Sequence, residues 1–239
     1  MSEPLATYDE LVQGTLLDRP NRFTVRVEFD ETSEPVPVYL RNSGGLETTL
    51  AEGRDVLCRP VSNPDRKTDH DAIAIRVGDV WVTVDATLPN QIFEACVGDG
   101  RLPRFEGYRV ENSEPPLPDE GRTDFELRTP NGETAYVEVK SNTYVVDGVS
   151  KFPDRPTERG RRHLRSLTAL VEEGIECHVV FVVQRPDADC LRPFREVDPE
   201  FADLLGEACD SGVGVSAMTT AFDPPEVLLV DSTLPVVLD

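Results

Sequence analysis

Over residues 14–85 the apolar positions come in short runs, at 14–17, 23–29, 36–40, 55–59, 72–77 and 80–85. Together the runs are short and rich in valine, isoleucine and aromatic residues, which predicts strands. Turn-forming residues separate them, at Arg19-Pro20-Asn21, Asn42-Ser43-Gly44-Gly45, Asn63-Pro64-Asp65 and Gly78-Asp79. Five or six short strands with no long helix between them predict a small antiparallel barrel of the OB type, in a first domain of residues 1–87.

The pattern changes near Leu88-Pro89-Asn90. Residues 91–97 read as a short helix stopped by Gly98, and the proline-rich stretch 111–121 reads as a loop. Strands are predicted at 123–128 and 134–141, joined by the turn Pro130-Asn131-Gly132. A helix follows over 157–173, between Pro156 and Gly174, with Leu164, Leu167 and Val171 as its apolar stripe. A buried strand at 176–183, a helix at 199–209 and strands at 213–220 and 227–230 complete a second, α/β (α+β) domain of residues 88–239. The longest clear apolar run, 179–183, is far too short to span a bilayer. The first residues lack the basic and apolar regions of a secretory signal, so a cytoplasmic protein is expected.

Charge changes the picture. There are 45 acidic against 24 basic residues, a net charge of −21, and only Lys67, Lys140 and Lys151 among the bases are lysine. The acid excess is spread over the whole chain rather than gathered in a tail. Such a surface repels itself in dilute buffer and is tolerated where salt screens it, which predicts a cytoplasm at molar salt, as in a halophilic archaeon. At about 1 M salt the Debye length is only about 3 Å, so local contacts rather than net charge decide what the protein binds. The five cysteines form no CxxC pair, which argues against a disulfide framework or a zinc knuckle and for small buried thiols.

One constellation carries chemistry. Asp124 stands on one predicted strand, and Glu138-Val139-Lys140 follows on the next. Glu138 and Lys140, two apart, face the same side, and the hairpin brings Asp124 alongside. Asp124, Glu138 and the Val139 carbonyl suit a hard cation such as Mg²⁺. Lys140 would orient or deprotonate a water for phosphodiester hydrolysis. The bland alternative is a solvent-facing cross-strand ion pair. Against it, Ala135, Tyr136, Val137 and Val139 make the strand interior, and a scarce lysine sits where arginine could not be deprotonated. Residues 151–165 then hold six bases, Lys151, Arg155, Arg159, Arg161, Arg162 and Arg165, and two acids. In so acidic a chain this local reversal predicts an anion-facing surface with phosphate as the natural partner, against the alternative of a solvated helix face.

Glu138-Val139-Lys140-Ser141, Asp147-Gly148-Val149, Phe152-Pro153-Asp154 and the run from Thr157-Glu158-Arg159-Gly160 to Arg161-Arg162-His163-Leu164 resemble the signature of the sugar fermentation stimulation protein A family. In the same order come Arg19-Pro20-Asn21-Arg22-Phe23, Asn42-Ser43-Gly44, Asn63-Pro64-Asp65-Arg66-Lys67-Thr68, Leu88-Pro89-Asn90, Phe181 to Pro186 and Asp198-Pro199-Glu200-Phe201. The resemblance implies an N-terminal OB-fold, a C-terminal PD-(D/E)XK nuclease-like domain, sequence-nonspecific DNA binding and a role in expressing sugar-utilisation functions. It matches Asp124 and Glu138 to the metal-binding acids, Lys140 to the catalytic lysine, Glu111 to a further acid, and Gln184 to an accessory position. Residues 114–121 depart from the family's shorter approach to the first acid. In the barrel, Arg22, Phe23, Arg66 and Lys67 are candidates to contact phosphates and stack bases, or else Phe23 begins a core strand and the bases are scattered surface charge.

Three readings follow. The first is a Mg²⁺- or Mn²⁺-dependent nuclease. The second is a DNA-binding regulator of sugar-utilisation genes on a nuclease-like fold. The third is a regulator holding a small sugar phosphate in a closed pocket. The charge argument has its own check. Circular dichroism in salt-free buffer is expected to show loss of the folded state, recovered in molar KCl; full folding without salt would refute salt adaptation.

Overall fold

The structure, a computed structural model, describes residues 3–30, 34–117 and 121–238. The strands in chain order are β1 (Ala6–Thr7), β2 (Val12–Asn21), β3 (Thr24–Glu28), β4 (Val36–Tyr39), β5 (Asp55–Pro60), β6 (His70–Val77) and β7 (Val80–Thr83). After α1 (Leu88–Gly98) come β8 (Arg109–Ser113), β9 (Phe125–Arg128), β10 (Thr134–Asn142), β11 (Val145–Val146), β12 (Val149–Phe152) and α2 (Glu158–Glu172). The chain then runs through β13 (Glu176–Val183), β14 (Cys190–Pro193), α3 (Pro199–Asp210), β15 (Gly214–Asp223) and β16 (Glu226–Leu234).

Strands β2 to β7 form the expected barrel, in the order β4-β3-β2-β5-β6-β7, and a β4–β6 pairing at Tyr39 and Asp71 helps close it. Its core is aliphatic, with Leu16, Val25, Val27, Val38, Val56 and Ile75 buried together. Alternation at a period of two places these residues on one face of each strand. The predicted turn at Arg19-Pro20-Asn21 is instead strand, and β2 turns into β3 at Arg22 and Phe23. Arg19 explains the shift: its guanidinium holds the carbonyls of Arg22, Asn42, Gly44 and Gly45 at 2.7–3.1 Å and pins two loops to the end of β2.

The second domain continues the hydrogen-bonded path as β7-β15-β13-β10-β9-β8. Strands β10, β13 and β15 are parallel; β8 and β9 are antiparallel additions. Helix α1 covers one face, burying Ile92 and Phe93 against Val137, Val139 and Val180. Helices α2 and α3 cover the other, over Val179, Phe181 and Val183. Helix α2 starts where Thr157 Oγ1 accepts the Gly160 N–H at 3.0 Å, and Gly174, at φ +88°, follows its end. Its buried face holds Leu164, Leu167 and Leu170 together with His163; Val171 is only half-buried. A small sheet, β11-β12-β14, lies apart from the main one and was absent from the strand prediction.

The division at residues 87 and 88 needs one correction. Strand β1 does not belong to the barrel: it pairs antiparallel with β16, Ala6 opposite Val227, and Tyr8 packs edge-on against Phe222. The thiols divide as well: Cys58, Cys96 and Cys177 are buried, Cys190 half-buried and Cys209 exposed. Among the described residues no helix is long and apolar enough to cross a membrane.

Gly14 marks the tightest approach in the barrel. A Cβ there would lie 2.5 Å from Val27 Cγ1, 2.7 Å from the Glu28 carbonyl oxygen and 2.8 Å from Phe29 Cδ1. Gly14→Ala is therefore expected to cost about 2 kcal/mol in urea unfolding, as overpacked cores do; an unchanged midpoint would show that β3 gives way freely.

Candidate metal centre and nucleic-acid surface

Strand β10 is the platform. Its alternation sends Ala135, Val137 and Val139 to the α1 face and Glu138, Lys140 and Asn142 to the α2 face. Lys140 and Glu138 are only 8% and 4% exposed, and Lys140 Nζ lies 2.7 Å from Glu138 Oε1. His163, from the inner face of α2, sets Nδ1 against the same oxygen. Thr123 Oγ1 lies 3.2 Å from Glu138 Oε2 and 2.9 Å from the Val137 carbonyl.

Asp124 stands one residue ahead of β9 rather than on it. Pairing of Phe125 with Val137 brings it beside β10. Its Oδ2 accepts the Val139 N–H at 2.7 Å and its Oδ1 accepts Asn90 Nδ2 at 3.0 Å. Val139 therefore braces Asp124 through its N–H.

The two carboxyls are driven apart. Burial alone would raise Glu138, but the Lys140 ammonium and the His163 imidazole override it and hold the group at about 2. Asp124 is raised above its ordinary value, first by burial and then by the charge of Glu138; the Val139 N–H, the Asn90 amide and Lys140 offset only part of this. A buried acid beside an ionised one is a place where a cation lowers the energy. An all-oxygen donor pair suits a hard cation that keeps most of its waters. Among the described residues no group of three or more His, Cys, Asp or Glu is arranged to hold a metal, so an ion here would rest on Asp124, Glu138 and water.

Other expected residues lie elsewhere. Glu111 does not join the cluster: it is exposed on β8 and its carboxylate is taken by the Arg128 guanidinium. The departure at 114–121 falls partly on residues 118–120, outside the described ones. Gln184 serves the domain seam, with Nε2 donating to Ser141 Oγ at 2.9 Å and Oε1 accepting Thr83 Oγ1 at 2.7 Å. Its amide is spent there, on the face of β10 away from Lys140.

The basic surface is divided. Lys151 pairs with Glu196 at 3.1 Å, Arg161 with Glu158 at 3.1 Å and with Glu200, and Arg165 with Glu200. Acids before and within α3 thus neutralise half of the predicted run. Arg155, Arg159 and Arg162 are exposed and make no ion pair among the described residues. In the barrel, Arg66 is held by Asp71 and stacks over Tyr39, whereas Lys67 and Arg22 are exposed. Phe23 is 45% exposed at the β2–β3 turn and does not begin a core strand. Asn90, Thr123 and His163 were missed as members of the cluster. The signals for His163 were its place in the signature run 157–164 and its position one residue before Leu164 of the apolar stripe.

A family model described as the SfsA N-terminal OB domain matches residues 17–84, and one described as the sugar fermentation stimulation protein RE domain matches residues 87–226. The chain belongs to the sugar fermentation stimulation protein family. It is an OB barrel followed by a nuclease-like α/β domain. A sugar fermentation stimulation protein homolog of Moorella thermoacetica is 39% identical over 92% of this chain and 94% of its own. Another, of Methanothermobacter thermautotrophicus, is 38% identical over 92% of this chain and 90% of its own. The solved structure of Pyrococcus furiosus SfsA in complex with Ca²⁺ superposes with a TM-score of 0.90 at 27% identity, covering 99% of this chain and 100% of that one.

Acid acts on the two carboxyls in opposite senses. Glu138, held at about 2, contributes its stability in full above the ordinary carboxylate range and loses it as pH falls toward 2. Asp124, raised, is relieved when it takes up a proton. Lys140→Ala leaves Glu138 buried and short of charge, and should cost about 3 kcal/mol in thermal unfolding with EDTA present. Asp124→Asn should cost nothing or stabilise under the same conditions. The reverse order would overturn the charge assignment.

Proposed function

We propose that Asp124, Glu138 and Lys140 form a divalent-cation-dependent site for phosphodiester hydrolysis in nucleic acid, DNA in the first instance. The observation that carries this is a buried Glu138–Lys140 ion pair with the half-buried Asp124 carboxyl beside it, in a chain with three lysines in all. Asp124 and Glu138 would hold Mg²⁺ or Mn²⁺, which when bound polarises the phosphodiester and lowers the pKa of water. The Ca²⁺ named for the Pyrococcus furiosus relative is likewise an oxygen-seeking cation, which supports this choice.

The chain's own groups do the rest. Lys140 Nζ carries three N–H donors and gives one to Glu138, leaving others for a water or a phosphate oxygen. His163 and Thr123 brace the Glu138 carboxylate, and Asn90 and the Val139 N–H brace Asp124. Arg22, Phe23, Lys67, Arg155, Arg159 and Arg162 are the exposed groups proposed to hold the strand, by phosphate contact and by stacking. Lys151, Arg161, Arg165 and Arg66 support that surface through their acidic partners. The barrel, dividing from the nuclease-like domain near residues 87 and 88, supplies half of the surface. The charge of −21 supports work in the salt-rich cytoplasm of a halophilic archaeon.

A second reading, a DNA-binding regulator of sugar-utilisation genes without cleavage, is favoured by one observation. All four carboxylate oxygens of Asp124 and Glu138 already have a protein partner. Cleavage of labelled single- and double-stranded DNA in about 2 M KCl, a level set by the charge argument, separates the two. Wild type should cut with Mg²⁺ or Mn²⁺, and Lys140→Ala and Asp124→Asn should each lose about 10²-fold or more in rate. Binding without cutting, equal in all three proteins, would leave the regulator.

A further inference from the structure

Where the barrel meets the nuclease-like domain there is a cavity of about 400 Å³ with walls from both. The barrel contributes Arg22, Asn42 and Gly44, and the second domain Asn142, Asp154 and Arg155. Asn142 lies two residues beyond Lys140 on the same face of β10. The cavity therefore opens one pleat repeat, roughly 7 Å, from the Asp124–Glu138–Lys140 cluster.

Its charge is out of keeping with the rest of the molecule. Arg22 and Arg155 are exposed, and neither side chain has an ion pair or hydrogen bond among the described residues. Beside them Arg19 is half-buried, its Nη1 and Nη2 groups spent on the carbonyls of Arg22, Asn42, Gly44 and Gly45, while its Nε has no partner among the described residues. Burial, then Arg155 and Arg22, disfavour the charge on Arg19; Asp154 is the carboxylate that opposes them. One Asp154 oxygen is itself taken by the Leu46 N–H, at 2.9 Å. Three guanidinium groups thus gather around one engaged carboxylate, in a chain whose net charge is −21.

The walls are also built to come close. A Cβ on Gly45 would stand 2.8 Å from Arg155 Nε and 3.1 Å from Asp154 Oδ2, so glycine lets the barrel loop reach the second domain. The volume matches the pockets that hold small ligands. Two free planar forks facing one space recognise phosphate oxygens better than they do a single-point anion.

We propose that this seam cavity is a phosphate-ester pocket in which Arg22 and Arg155 grip the phosphate. That the ester is a strand phosphate next to the one cleaved rests on the nucleic-acid reading above.

The test uses the full chain in molar KCl and titrates a deoxynucleoside 5′-monophosphate, a hexose phosphate and a fluorescent oligonucleotide. Wild type and the control Arg109→Ala, an exposed residue of β8 outside the cavity lining, should bind the monophosphate alike. Arg22→Ala/Arg155→Ala should weaken it by about tenfold or more for each guanidinium lost, with an unchanged unfolding temperature. Arg22→Lys/Arg155→Lys, which keeps the charge and loses the forks, should fall between. Displacement of the oligonucleotide by the monophosphate would assign the pocket to a strand phosphate. If wild type binds no oligonucleotide but holds either small ester through these arginines, the nucleic-acid reading fails and the pocket stands. If no phosphate ester binds, or binding survives in Arg22→Ala/Arg155→Ala, the pocket is overturned.

Discussion

Glu138 and Lys140 sit out of water on a strand flanked by others on both sides, 2.7 Å apart. A buried ion pair is weak evidence of stability, because desolvation consumes most of its Coulomb energy. Its demand on the surroundings is strong, however. The Glu138 carboxylate draws partners from three places: Lys140 on its own strand, His163 on α2, and Thr123 ahead of β9. Each partner fixes the position of the element that carries it. The placing of α2 over β10, and of the β9 approach beside it, follows from keeping one carboxylate supplied with donors. Asp124 is then carried into reach as the residue after Thr123, where it meets an environment that resists its charge.

The same economy governs the seam. Trp81 and Phe222 join β7 to β15, the Gln184 amide bridges Ser141 and Thr83, and Asp154 reaches across to the Leu46 N–H. These polar ties act beside an apolar contact, in which Leu57, Ile73 and Ala74 of the barrel share one core with Ile92, Phe93, Met218 and Phe222. They also explain why signature residues that look like surface turns, Asn42-Ser43-Gly44 and Phe152-Pro153-Asp154, stand together in space.

How much was legible depended on whether a signal was local. The buried strand 176–183 could be read because both faces are covered, which leaves an unbroken apolar run. Helix α2 could be read from Pro156 and Gly174, and the Asp124–Glu138–Lys140 set from strand periodicity and a hairpin turn. Strands β11, β12 and β14 could not, since two- to four-residue strands carry too few alternating positions. The neutralised arginines were hidden for a different reason: Glu196 and Glu200 lie more than thirty residues from Lys151 and Arg161, and no local pattern announces that pairing. Glu111 looked like a site acid because it precedes the core strands, but β8 runs it away from Asp124 toward Arg128.

Strand β1 has a consequence for how the molecule is made. Its partner, β16, lies more than two hundred residues further along, so Ala6 waits for Val227 while both domains are made. The barrel between them can fold early on its own aliphatic core, because β2 to β7 pair with near neighbours. The outer layer with Tyr8 and Phe222 closes only after β15 and β16 have been made. Strands β1 and β16 thus act as a clasp, and a chain cut short before β16 would carry a finished barrel attached to an unlatched second domain.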